Sequence, residues 1–457
     1  MAKTDKPNPE QAVRLAAEIL RVWEEGADWT ERVPACPEQD ILRNGLFTLF
    51  RRRGQLDWLL ERLAPRPPRP RLRRILWWTL TEMLWGRVLP PEVAADAAVS
   101  HVRRRCGAAE AGFVNAVFRR ALAAGGTPLV ESLRSSPAPL HVRSGLGPEL
   151  TAAWSARMPE AELLRLGEVL QEPAPLTVRI RKVCGLWPVV CGENRIEEAG
   201  VANSASPVIP SSSSAHRPTD HRPQALFPLT GLDWVSDGAM FECADPAAFF
   251  ASPEFRAGHF YVQDPSTLLA PWLLAVRPGE SVADLCAAPG GKSLLLAEAL
   301  AGTGRLVCAD RSPARLQRLR ENVLGAWPGT VVLAMDAAAP ALRPGGFDAV
   351  LLDVPCSNSG VVRRRPDVRW RFTREKVRDL VCLQRAILEG AAPLLRPGGR
   401  LAYSTCSIEP EEDGDQVRRF LERHPEFRLE SERLLLPETR HDGAYAAVLR
   451  RAGVSCP

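Results

Sequence analysis

Within residues 347–371, FDAVLLDVPCSNSGVVRRRPDVRWR, an acid, a thiol and a run of cations follow one another as Asp353, Cys356 and Arg363, Arg364 and Arg365. A carboxyl group can hold or pass a proton, a thiolate can add to an electron-poor carbon, and guanidinium groups can grip an anion. A second thiol has a similar setting: Cys406, in Tyr403-Ser404-Thr405-Cys406-Ser407, follows the apolar run from Leu401 to Tyr403. The run before Cys356 is Ala349 to Leu352, and short apolar runs bounded by turn residues predict buried strands. Ligands of open α/β sheets sit beyond the carboxyl ends of such strands, which makes Asp353 and both cysteines candidate site residues. Cysteine is also an ordinary core residue. A strand end in each case, with Asp-x-Pro beside one thiol, favours chemistry over packing, whereas Cys308 and Cys382 read as core.

A glycine turn supplies another part of the chemistry. The apolar segment Ser281 to Leu285 leads into Cys286-Ala287-Ala288-Pro289-Gly290-Gly291-Lys292-Ser293, and a helix is predicted from Leu294 to Leu300. The glycines let backbone pass close to a ligand, and the helix behind them offers free amides. The turn lacks the first glycine of G-x-x-x-x-G-K-[ST] and is not G-x-G-x-x-G, so a triphosphate or dinucleotide is disfavoured. The next predicted strands, Arg305 to Ala309 and Thr330 to Ala334, end at Asp310 and near Asp336. Asp310 stands where doubly wound folds bind a ribose diol, and Asp336 can accept from an adenine amino group. With Asp353 at a fourth strand end, the set suits adenosine joined to something other than pyrophosphate. Cys286 is expected to contribute backbone, and Lys292 to touch the cofactor turn or RNA.

The elements that must position these groups alternate strand and helix from about residue 255, the pattern of an α/β fold with a mostly parallel, Rossmann-like sheet. Ahead of it, residues 9–123 read as helices. Ala12, Leu15, Ala16, Ile19 and Leu20 recur at helical spacing, as do Leu46, Leu49, Leu59, Leu60 and Leu63. Pro65 to Pro70 and Pro90-Pro91 punctuate that run. Residues 124–180 are read as a helical connector ending in a strand, Leu176 to Arg181. The expected domains are an all-α one over 1–135, a connector and small subdomain over 136–255, and an α/β domain over 256–453. Ser, Pro and His dominate between Asn203 and Pro223, so a disordered insertion is expected near 200–223. Cys184 and Cys191, with His216 and His221, fit no usual zinc spacing, and no metal is expected.

At 457 residues the chain exceeds one typical core. Eleven cysteines without close pairing spacings, and no charged-then-apolar leader, predict a reducing, cytoplasmic setting. No long apolar stretch predicts a membrane span. The net charge of +5 is carried by the front of the chain, where residues 1–140 hold 22 Lys and Arg against 16 Asp and Glu. Clusters at Arg51 to Arg53, Arg71 to Arg74 and Arg103 to Arg105 are what a phosphate-binding surface or a solvated helical face would show.

The strings DLCAAPGGKS from Asp284, Asp310 with Arg315, Asp336, DVPCSNSG from Asp353 followed by RRRPDVRW, and STCSIEPEED from Ser404 resemble the successive motifs of the RNA cytosine-5 methyltransferases of the NOL1/NOP2/Sun family. Tyr261-Val262-Gln263-Asp264-Pro265-Ser266 is similar to that family's entry motif. The helical front, with Arg51-Arg52-Arg53 and the string AGFVNAVFRR from Ala111, resembles the NusB-like RNA-binding domain, and the whole layout resembles the RsmB (Sun/Fmu) subgroup. The resemblance implies S-adenosyl-L-methionine as cofactor and small-subunit ribosomal RNA as partner, with cytosine 967 of 16S rRNA as target. It implies that Cys406 attacks carbon 6 of the base and that Cys356 helps release the enzyme, with Asp353 at ring nitrogen 3. It implies that Cys286, Ala287, Ala288, Pro289, Gly290, Gly291, Lys292, Asp310, Arg315, Asp336 and Asp353 hold the cofactor. Arg363, Arg364 and Trp370 would meet RNA, the arginines on phosphates and the indole on an unpaired base; pinning the loop is the alternative use of these side chains. The expected protein is monomeric. Another rRNA or tRNA target, and a catalytically inactive RNA-binding protein, are the competing readings. The chain departs from the family pattern at Val354, Asn358-Ser359, Asp413 and Ala444-Tyr445, none of which removes a reacting group.

Overall fold

The computed structural model describes residues 7–86, 88–133, 137–181, 226–236, 239–325 and 327–453. The segment 182–225, which contains the whole of the expected insertion together with Cys184, Cys191, His216 and His221, lies outside the described residues. The chain folds into two compact units. One takes residues up to 173 together with 357–380 and 437–439; the other takes 174–356, 381–436 and 440 onward.

The first unit is helical. Its main elements are α1 (Pro9–Glu24), α2 (Gln39–Leu63), α3 (Pro70–Trp85), α4 (Pro91–Cys106) and α5 (Ala108–Ala123), followed by shorter helices at Leu140–Ser144, Pro148–Ser155 and Glu160–Gln171. Proline opens α1, α3 and α4, where its missing N–H is no loss and its fixed φ suits a first turn. The break between α2 and α3 falls on the proline-rich segment that interrupts the apolar pattern. The stripe of α1 (Ala12, Ala16, Ile19, Leu20, Trp23) is buried together with Leu46, Leu49 and Phe50 of α2 and Trp77 and Trp78 of α3. Trp23 and Phe50 meet with ring centroids 4.8 Å apart, and Trp29 and Phe50 at 5.4 Å.

The second unit holds two sheets. A small antiparallel one is built from β1 (Leu176–Ile180), β2 (Leu226–Pro228), β3 (Met240–Cys243) and β4 (Phe260–Val262) in the order β2-β3-β1-β4. The larger sheet contains β5 (Ser281–Asp284), β6 (Arg305–Asp310), β7 (Val331–Ala334), β8 (Phe347–Asp353), β9 (Leu395–Thr405), β10 (Phe427–Leu435) and β11 (Ala444–Arg451). Its order is β10-β11-β9-β8-β5-β6-β7, with β5 to β9 parallel and β11 antiparallel to both β9 and β10. The central strands are nearly continuous apolar runs because both faces are covered. Val282, Cys308, Ala349 and Leu351 enter one core, while Ala283, Val307, Val350 and Leu352 enter the other. The order reverses at β5 and β8, so a crevice is expected beyond their carboxyl ends. The acids and thiols of the sequence lie at that end of the sheet.

Candidate active site

Asp353 closes β8 and is in register with Ser404 of β9. The ladder runs one residue further, with Val354 N donating to Ser404 O at 3.0 Å. Cys356 and Cys406 therefore lie just past the ends of adjacent parallel strands. Their Sγ atoms are 3.1 Å apart. Cys356 is buried and Cys406 half-buried. Two residues fifty positions apart in sequence thus form one thiol pair.

The surrounding loops are held by buried polar side chains. Gln384 Nε2 donates to Pro355 O at 3.0 Å and to Glu412 Oε1 at 2.9 Å. Glu412 also accepts from Ser407 Oγ at 2.7 Å, and its backbone carbonyl accepts from the Tyr403 hydroxyl at 2.5 Å. On the Cys406 side, Thr405 Oγ1 donates to Asp413 Oδ1 at 2.6 Å and accepts from Ser407 N at 3.1 Å. Burial, reinforced by the neighbouring Glu412 and Glu409, pushes the Asp413 carboxyl well above its ordinary range. The raised pKa favours the neutral form, which is close in shape to the asparagine that the family pattern puts here.

Lys292 Nζ lies 2.7 Å from Asp353 Oδ2. Burial opposes the ammonium charge, but Asp353, by charge and by hydrogen bond, with Cys406 and Asp284 further off, holds its pKa above the ordinary lysine value. Lys292 sits in the first turn of the helix Gly291–Leu300 and so joins the glycine turn to the thiol pair. Its spacing from the glycines gave it a role in the sequence reading, but its partner was not legible there.

The glycine turn is shaped by close packing. At Gly290, φ is +110°, and a side-chain Cβ there would lie 3.0 Å from Leu319 and 3.1 Å from Val323. A Cβ on Gly291 would lie 3.2 Å from the ring of Tyr261. Asp310 orients the turn: its carboxylate accepts from Ala288 N at 3.1 Å and from Ser312 N at 2.9 Å, and Arg315 sits 3.5 Å from it while also binding the Ala288 carbonyl. Asn322 Nδ2 donates to Pro289 O at 2.8 Å. Asp336 is half-exposed past β7 and accepts from Ala338 N at 3.0 Å.

Asp284, the last residue of β5, is fully buried. Ser293 Oγ donates to one of its oxygens at 2.6 Å, and the other has no partner among the described residues. Burial raises this carboxyl to about 7. The thiol of Cys286 is pushed up by burial and then by the charges of Asp284, Asp353 and Asp310, which converge on the turn. The first turn of the following helix has no capping side chain. An acceptor-rich crevice with close-approach backbone fits a cationic sulfonium carrying a ribose diol, and it opposes a polyanion.

The basic strip is used differently. Arg363 is buried, and its guanidinium donates to the carbonyls of Glu172 (3.2 Å), Pro173 (2.9 Å), Glu438 (3.0 Å) and Thr439 (2.8 Å). Arg369 is also buried and donates to Gly145 O at 2.6 Å, Leu170 O at 3.1 Å, Arg51 O at 3.2 Å and Val362 O at 3.4 Å. Trp370 Nε1 donates to Phe50 O at 2.6 Å, and its ring packs on the helical core under Arg53. Arg363 and the Trp370 indole N–H are thus bonded inside the helical unit, the arrangement that loop pinning would use. Arg364 is half-buried. Among the described residues no group of three His, Cys, Asp or Glu could hold a metal, and no helix is long and apolar enough to cross a membrane.

Residues 271–448 match the family model described as 16S rRNA methyltransferase RsmB/F, and residues 11–123 match the NusB family. Ribosomal RNA small subunit methyltransferase B of Salmonella paratyphi B is 30% identical over 431 residues, which is 91% of this chain and 91% of that protein. The chain belongs to the RsmB/F family. The protein of the same name from Salmonella typhi matches with the same identity and coverage. Two solved structures share the fold: that of PH0851, with TM-score 0.70 and 22% identity over 98% of this chain and 99% of that one, and a methyltransferase homolog protein from Pyrococcus horikoshii, with TM-score 0.50 and 23% identity over 68% and 97%. As a member of RsmB/F the chain is an S-adenosyl-L-methionine-dependent rRNA methyltransferase with a NusB domain in front. The cofactor fits the turn at 286–292, where Asp284 keeps a buried acceptor oxygen with no partner among the described residues. Ser293, Gln384 and Glu412 complete the scaffold of the site. Sequence reading passed over Ser293 and Gln384, although Ser293 follows the glycine turn directly.

Proposed function

We propose that the chain forms 5-methylcytosine in 16S rRNA through a covalent adduct between Cys406 and carbon 6 of the target base. The observation that supports this most is the thiol pair, Cys356 Sγ and Cys406 Sγ at 3.1 Å, beside the Lys292–Asp353 ion pair. Carbon 5 of cytosine is a poor nucleophile. A thiolate bonded to carbon 6 pushes an electron pair toward carbon 5 and places negative charge on ring nitrogen 3. Protonated, Asp353 meets that charge at nitrogen 3 as hydrogen-bond donor, beside the Lys292 ammonium. When bound, S-adenosyl-L-methionine supplies an electrophilic methyl group on a sulfonium. Residues 286–292 with Asp310, Arg315, Asp336 and Asp353 hold it. After carbon 5 is methylated, Cys356 takes the carbon 5 proton, directly or through a base, and the electron pair of that C–H bond expels the Cys406 thiolate. The protein acts as a monomer in the cytoplasm. Its target position, cytosine 967, is carried by family resemblance.

The test is methyl transfer from tritiated S-adenosyl-L-methionine to unmodified small-subunit RNA, with bisulfite mapping of the product. Cys406→Ala is expected to abolish transfer. Cys356→Ala is expected to leave an RNA-linked band on a denaturing gel. Normal turnover by Cys356→Ala with no shifted band would overturn the assigned roles, and RNA binding without label transfer would overturn the enzyme reading.

A further inference from the structure

Two thiols in contact can do more than act in turn on a base. We propose that Cys356 and Cys406 are a reversible oxidation site, closing to a disulfide with hydrogen peroxide or a low-molecular-weight disulfide as co-reactant. Their sulfur atoms are 3.1 Å apart, and a disulfide needs about 2 Å, so closure requires a shift of only about 1 Å. The pair sits on loops leaving adjacent strands whose register is fixed up to Asp353 and Ser404, so the approach does not depend on a large rearrangement. Cys406 is half-buried and gives an oxidant access to one sulfur. The Lys292 ammonium lies within electrostatic reach of Cys406. Elsewhere in the unit the contrast is plain: burial holds Cys286 and Cys308 as thiols.

The chemistry balances. The Cys406 thiolate attacks one oxygen of hydrogen peroxide, the O–O bond breaks, and a sulfenic acid and hydroxide form; the hydroxide takes up the proton that Cys406 gave up on ionising and becomes water. The Cys356 thiol then displaces the sulfenic oxygen as a second water, leaving an S–S bond. Two thiols lose two electrons and two protons, and the peroxide is reduced to two waters. Dithiothreitol returns both thiols. With neither sulfur available, methyl transfer stops, a consequence that rests on the catalytic roles proposed above.

The experiment uses the full-length protein without RNA, treated with hydrogen peroxide, alkylated and digested for mass mapping. The expected product joins the peptide carrying Cys356 to the one carrying Cys406, disappears on dithiothreitol, and accompanies a loss of methylation that dithiothreitol restores. In Cys356→Ser, oxidation of Cys406 is expected to run on to a sulfinic acid that dithiothreitol does not reverse. Over-oxidation of Cys406 in the unsubstituted protein, with Cys356 still alkylatable and no joined peptide, would overturn the inference. A joined peptide with undiminished methylation would keep it and overturn the catalytic roles instead.

Discussion

Cys356 and Arg369 lie on one short stretch of chain and are both buried, but burial has opposite uses in the two places. The Cys356 thiol is a small, polarisable group that costs little to withdraw from water, and it meets another thiol. Arg369 is a permanent cation whose withdrawal is costly, and it is tolerated because backbone carbonyls of Gly145, Leu170, Arg51 and Val362 replace water. Even so, burial, with the nearby charges of Arg51 and Arg52, lowers its pKa to about 9. One residue meets another thiol and the other is bonded to backbone carbonyls of its own unit. The lesson is that a run of chemically capable residues is sorted by what each side chain bonds to.

That contrast predicts a large effect first. Arg369→Ala should destabilise the helical unit by on the order of 3 kcal/mol, because several buried carbonyls lose their donor at once. Arg369→Lys should recover little, since an ammonium cannot span carbonyls arranged for a planar fork. Urea unfolding followed by tryptophan fluorescence checks both. A cost below about 1 kcal/mol for the alanine variant would place Arg369 outside the core architecture.

The buried carboxyls offer the next comparison, one in each unit. Burial raises Glu82 in the helical unit and Asp284 in the catalytic unit to about 7 each. A carboxyl whose folded pKa lies above its unfolded value contributes stability that is fully present below about pH 4 and is lost as pH rises through about 7. Glu82→Gln and Asp284→Asn should therefore each flatten the pH dependence of unfolding across that window, the first in the helical unit and the second in the catalytic one. Hydrogen exchange resolved by peptide, run at several pH values, separates the two.

Smaller effects test finer points. Asp413→Asn should cost little stability and lessen the pH dependence of unfolding, because burial raises this carboxyl and the stability tied to its proton is lost as pH climbs through the raised value. Asp413→Ala, which leaves Thr405 without its acceptor, should cost more. The smallest effect is expected at Arg365, whose ion pair with Asp28 at 3.0 Å is half-exposed. Arg365→Ala should cost less than about 0.5 kcal/mol in the same urea titration, and a result matching Arg369→Ala would erase the distinction within the strip.

Much of the catalytic sheet was legible in advance because its parallel strands are buried on both faces and end in acids. β5, β6, β7 and β8 fall on the predicted runs, and their terminal residues include Asp284, Asp310 and Asp353. β10 was not foreseen. It lies at the sheet edge, exposes most of its length, and carries Arg428, Glu430, Glu432 and Arg433, so no apolar run marks it. β11 is alanine-rich and lacks the β-branched bulk that signals a strand. The pairing of Cys356 with Cys406 was predicted only as two separate strand ends, since adjacency depends on sheet order. The partners of Arg363 and Trp370 were not legible for a related reason: they are carbonyls of helices and loops far away in sequence, which carry no side-chain signature.

The register of β8 with β9 has a consequence for anyone who would move this site to another protein. Asp353 stands opposite Ser404, and each cysteine follows after a short fixed count of residues. The two sequence motifs therefore share one ruler. Lengthening either by a single residue would slide one sulfur past the other while leaving every named side chain present, so a graft must carry both segments and the hydrogen-bonded ladder between them as one piece.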